Sequence, residues 1–76
     1  MGGLAPTHYK TLEKFVLHVG CRYVRQKGSH RIYWREGLQR PVILPTYRNV
    51  PPFVIRNILR QLGIRVEDFL RLLKEL

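Results

Sequence analysis

Residues 21–35 read CRYVRQKGSHRIYWR. Two runs rich in aromatic and β-branched residues flank Lys27-Gly28-Ser29, the signature of two antiparallel strands joined by a tight turn. The strands are expected at Cys21 to Gln26 and His30 to Arg35. Alternation along the second puts His30 with Ile32 and Trp34 on one face, and Arg31, Tyr33 and Arg35 on the other.

Outward from this hairpin, Glu36-Gly37-Leu38-Gln39 forms a second turn and Arg40 to Leu44 a third strand. Pro41 and Pro45 bracket that strand, which predicts a short one, suited to an edge. Upstream, Thr7 caps a helix whose apolar stripe is Leu12, Phe15, Val16 and Val19, and Gly20 ends it. Downstream, Pro51-Pro52 opens a second helix with Ile55, Ile58, Leu59 and Leu62 on one side, closed by Gly63. A last helix carries Val66, Phe69, Leu70, Leu73 and Leu76, and pairs Glu67 with Arg71 and Arg71 with Glu75 on a solvated side. The order α-β-β-β-α-α, with the first two helices over one face of a three-stranded antiparallel sheet, predicts an α+β two-layer sandwich. This plan resembles that of double-stranded-RNA-binding domains, an analogy of fold and not of function. Residues 1–6 read as a flexible leader and 7–76 as a single domain.

At 76 residues the core is thin, since a chain this short buries only about 60% of its unfolded surface. Function is therefore expected on an open face, without a deep pocket for a large cofactor. Fourteen Lys and Arg stand against five acids, a formal charge of +9, and between Gly20 and Arg65 the one acid is Glu36. A basic central face of this kind attracts polyanions. Cys21 is alone, so no internal disulfide is available; a reducing, cytoplasmic setting is the default, with the thiol a small buried hydrophobe. No apolar run approaches the ~18 residues of a membrane span. No His or Cys pair has metal-ligand spacing.

The segment Arg25-Gln26-Lys27-Gly28-Ser29-His30 gathers the residues that carry chemistry. Cleaving RNA without a metal takes a base for the 2′-hydroxyl proton, an acid for the leaving 5′-oxygen, and cations for the charge that builds on the phosphate. Imidazole suits proton transfer near neutrality. His30 follows a glycine turn beside Arg25, Lys27 and Arg31; backbone N–H groups at Gly28 and Ser29 could cradle a phosphate oxygen, and the Ser29 hydroxyl adds a donor. The bland alternative is a histidine packed at a strand start, which its sharing a face with Ile32 and Trp34 favours. His8 and His18 lie on the first helix without clustered cations and read as solvated or half-buried residues. Arg56 and Arg60, one turn apart, disfavour their helix slightly and are better explained by phosphate binding than by helix stability, the alternative being a solvent-facing polar stripe. Of Tyr23, Tyr33, Trp34 and Tyr47, one or two are expected to be exposed and able to stack on unpaired bases. A non-catalytic RNA-binding module and a basic adaptor for an acidic protein fit the same charge.

Arg25-Gln26-Lys27-Gly28-Ser29-His30 with Tyr33 three places on, Val42 to Pro45, Ile58-Leu59-Arg60-Gln61-Leu62-Gly63-Ile64 and Glu67-Asp68-Phe69 together resemble the HicA family of toxin mRNA interferases. The likeness runs from about Leu12 to Leu73. It implies a HicA-like domain over 7–76 with a double-stranded-RNA-binding-like fold, and a toxin of a type II toxin-antitoxin system that cleaves mRNA under stress. It further implies that His30 is catalytic, that a HicB-type antitoxin covers the site, and that no metal or organic cofactor takes part. The chain departs from the family pattern at Cys21, where an aromatic is common, at Tyr47, where a second histidine often stands, at Phe53-Val54 and at Arg65. Without that second histidine the general acid is unassigned.

Overall fold

In the computed structural model residues 3–76 are described; Met1 and Gly2, where the expected leader begins, lie outside them. The order is α1 (Tyr9–His18), β1 (Arg22–Lys27), β2 (His30–Trp34), β3 (Val42–Pro45), α2 (Pro52–Leu62) and α3 (Val66–Leu73). The three strands form one antiparallel sheet in the order β1-β2-β3, so β3 is an edge, as its prolines predict. The α-β-β-β-α-α plan holds, and no helix among the described residues is long and apolar enough to cross a membrane.

Several local expectations need correction. Thr7 does not cap α1: it forms an isolated bridge with Val50, and His8 is the cap, its Nδ1 accepting from the Lys10 N–H at 3.1 Å. The third strand starts two residues later than expected and takes in Pro45. On α3, Arg71 pairs with Asp68, one turn back, rather than with Glu67 or Glu75, and Leu76 lies beyond the helix.

The glycine stops do hold. Gly20, at φ +99°, follows α1, with Cys21 N–H returning to Val16 O and Gly20 N–H to Leu17 O; Gly63, at φ +71°, closes α2 in the same way through Leu59 and Arg60. Both are the paired bonds of a Schellman ending, which a left-handed residue permits.

Packing inverts the face that hydropathy along β2 favours. Tyr33 is 0% exposed, whereas Ile32 and Trp34 are only partly covered. Register explains it: Tyr33 lies opposite Val42 and Arg31 opposite Leu44, and Val42 and Leu44 are fully buried, while Ile43, opposite Ile32, points outward. The helices sit on the Tyr33 side, where Leu12, Phe15 and Val16 of α1 and Ile55, Ile58, Leu59 and Leu62 of α2 complete the core. Phe69 of α3 meets Phe15 edge-on, with centroids 4.7 Å apart. Two cations can lie on this side because each has partners there. Arg31 pairs with Glu13, and Arg35 donates to Val19 O at 2.9 Å and Leu62 O at 3.2 Å, binding the free carbonyls at the ends of α1 and α2.

Candidate nucleic-acid interface

The hairpin tip is held from two sides. Gly28, at φ +59°, takes the first place of a two-residue turn, the position that needs glycine in a type II′ turn. A Cβ added there would meet nothing within 4 Å, so the demand is conformational and not a matter of space. The Gly28 carbonyl accepts from Gln26 Nε2 at 2.9 Å, and the Ser29 carbonyl accepts from both the Thr46 N–H, at 2.9 Å, and its hydroxyl, at 3.1 Å. The backbone N–H groups of Gly28 and Ser29 donate to no protein group among the described residues. A fixed turn with spent carbonyls and free donors is an anion-binding arrangement.

A β-bulge sets which side chains share that surface. The pairing of β1 with β2 shifts between Tyr23 and Arg25, leaving Val24 extra. Arg22 lies opposite Trp34, Arg25 opposite Ile32 and Lys27 opposite His30. In a regular strand Arg22 and Arg25 would point to opposite faces; the inserted residue sends both, with Lys27, to the face of His30. All four are exposed, and none of the three cations has an acidic partner among the described residues. Around His30 lies an open depression of about 630 Å³, lined by Lys27, Gly28, Ser29, Ile32 and Ile43.

Arg31 does not join them. It is on the helix side of the sheet, where its guanidinium bonds Glu13 at 3.0 Å, Tyr33 Oη at 3.2 Å and Gln26 Oε1 at 2.8 Å, and lies 4.4 Å over the Tyr23 ring. Tyr33 Oη donates to the same Glu13 oxygen at 2.6 Å. Burial, followed by that hydrogen bond, pushes the Tyr33 hydroxyl up to about 12. The bond to Tyr33, with the Glu13 carboxylate alongside, raises Arg31 further above its already high value. Burial likewise raises the thiol of Cys21, which is a core residue as expected, with Arg35 opposing the shift.

Arg56 and Arg60 are exposed on α2, away from the hairpin tip, and Arg60 donates to Asn57 Oδ1 at 3.3 Å. Of the four aromatics, Tyr23 and Tyr47 are exposed. Sequence reasoning missed Arg22, Thr46 and Glu13. Only Glu13 left a trace, standing beside the buried Leu12 on a helix that had to face the sheet. Among the described residues no three His, Cys, Asp or Glu side chains converge to hold a metal ion.

The surface therefore combines one imidazole, three unpaired cations and two free backbone donors over an apolar floor. The family described as HicA toxin of bacterial toxin-antitoxin matches residues 9–64, most of the chain. No curated protein and no solved structure matches it.

Proposed function

The chain belongs to the HicA toxin family, and we propose that it is a metal-independent endoribonuclease that cuts mRNA, with His30 as the proton-transfer residue. The observation that carries this reading is that the exposed face of His30 also carries Lys27 and Arg25, beside a turn whose Gly28 and Ser29 N–H groups are free. In the reaction the 2′-oxygen loses its proton and attacks the adjacent phosphorus, and the bond to the 5′-oxygen breaks as that oxygen gains a proton. The products are a 2′,3′-cyclic phosphate and a 5′-hydroxyl. His30 serves one of the two proton transfers. Lys27 and the turn N–H groups stabilise the charge on the non-bridging phosphate oxygens, the Ser29 hydroxyl adds a donor, and Arg25 holds a neighbouring phosphate. Arg56 and Arg60 bind the RNA backbone further along. Arg31 is assigned to the support of the sheet, because Glu13, Tyr33 and Gln26 already take its donors.

The natural partner of such a toxin is a HicB-type antitoxin that covers the His30 face and keeps the enzyme silent in the cytoplasm. A second reading, a non-catalytic RNA-binding module, is favoured by the lack of a second imidazole or a carboxyl group in the His30 depression, whose other lining residues are Lys27, Gly28, Ser29, Ile32 and Ile43. Incubating the chain and its His30→Ala form with mRNA in chelator, then mapping the ends, separates the two. New 5′-hydroxyl ends from the unsubstituted chain alone support the nuclease; intact RNA with salt-sensitive binding supports the module.

A further inference from the structure

We propose that the substrate is single-stranded and continues past His30 over the β3 edge into a second subsite formed by Arg40, Asn57 and Arg60; this rests on the nuclease reading for the role of His30. The His30 depression reaches Ile43, and there a second, of about 350 Å³, begins and crosses Pro41 and Val54 to Arg40, Asn57 and Gln61. Those last three residues also line a third, of about 700 Å³, which adds Arg60. Shared lining residues, Ile43 between the first two and Arg40, Asn57 and Gln61 between the last two, set the three depressions side by side from the hairpin tip to the side of α2, and we read them as one groove. None of its lining residues is acidic.

The chemistry along this groove alternates. Lys27 and His30 stand at one end and Arg40 and Arg60 at the other, with Ile43, 49% exposed, between them. An extended single strand offers that sequence of groups: phosphates for the cations and an unstacked base for the apolar saddle. A duplex keeps its base faces stacked and cannot present one to Ile43. An added peptide strand is disfavoured on the β3 edge, where Pro41 and Pro45 supply no N–H.

The far subsite is preorganised. Gln61 Nε2 donates to Arg40 O at 2.8 Å and to Pro41 O at 2.9 Å, tying the loop that carries Arg40 to α2. Asn57 accepts from Arg60, so its own amide N–H groups stay free to donate. Arg40 and Asn57 thus contact nucleotides beyond the scissile linkage, and Asn57 has the donors and acceptor needed to discriminate a base edge.

Affinity decides this without relying on turnover. Fluorescence anisotropy at fixed salt compares the His30→Ala chain with His30→Ala/Arg40→Ala and His30→Ala/Asn57→Ala, on single-stranded oligoribonucleotides of about four and about ten nucleotides. With the groove intact, lengthening the strand tightens binding about tenfold or more, the scale of one charged hydrogen bond. Arg40→Ala removes most of that gain and Asn57→Ala part of it, with unchanged thermal unfolding of each variant. A gain that survives Arg40→Ala overturns the subsite, as does an equal loss on a duplex of the same length. Cleavage is scored separately. If the unsubstituted chain leaves RNA intact, the nuclease reading falls and the subsite stands or falls on the affinity ratio alone.

Discussion

On the helix side of the sheet Arg31 is held by Glu13, Tyr33 and Gln26, whereas on the open side Arg25 and Lys27 meet no acid among the described residues. The residues are neighbours along two paired strands and carry the same charge. What separates them is the pleat, with one bulge at Val24 that resets it. A guanidinium facing the helices loses water and must find partners, so the fold supplies a carboxylate and a phenol. A cation facing solvent costs the fold little unpaired and stays available to a ligand. Charge count alone therefore overstates the binding surface: the cations that matter are those the fold leaves unused.

The sharpest way to break this division is to remove one side chain from each face. His30→Ala lowers RNA cleavage by about 10²- to 10⁴-fold, as loss of a positioned acid or base does, and leaves stability within about 0.5 kcal/mol, as for an exposed residue. Tyr33→Ala acts in reverse. It empties a fully buried aromatic site and costs about 3–5 kcal/mol, a large part of the stability of so small a domain, seen as a fall in the denaturant midpoint. Loss of stability from His30→Ala, or a stable Tyr33→Ala chain, would mean that the faces are not divided in this way.

How much of this was legible in the sequence follows the range of the interactions involved. Glycine stops, proline starts and the hairpin turn are local, and Gly20, Gly28, Gly63 and Pro52 fall where their backbone preferences put them. The fold class followed from those signals and from apolar spacing. Face assignment did not, because β2 alone offers Ile32 and Trp34 against Tyr33 between two arginines, and only the facing Val42 and Leu44 decide. Nor did the bulge, since nothing around Val24 marks an inserted residue. The link from Glu13 to Arg31 spans 18 residues, beyond any local pairing rule. The residues of the candidate site were visible as a motif, while the division of its cations into used and free ones was not.

A gentler test sharpens the comparison through salt. If Arg25 and Lys27 each neutralise one phosphate of a single strand, replacing both by Ala reduces the slope of log affinity against log salt by about 1.4, from about 0.7 per contact. Arg31→Ala leaves the slope as it was and lowers the unfolding temperature instead. Equal slope changes from Arg31→Ala and from Lys27→Ala would place Arg31 on the RNA after all.

The smallest effect is read in alkali. The Tyr33 hydroxyl is pushed up to about 12 because burial and the bond to Glu13 both penalise the phenolate. An ordinary tyrosine ionises near pH 10, so the unfolded chain releases this proton first. The stabilisation is complete below about pH 10 and is lost as pH rises through about 12. Tyr33→Phe cannot ionise, so it loses less stability than the unsubstituted chain over that interval, while at neutral pH it sacrifices two hydrogen bonds, the one to Glu13 and the one from Arg31, about 1 kcal/mol each. Tyr9, Tyr23 and Tyr47 are present in both chains, and the difference between the two denaturation profiles isolates position 33. Parallel profiles from pH 9 to pH 12 would show that Tyr33 is not held neutral against Glu13, and the used face would lose its keystone.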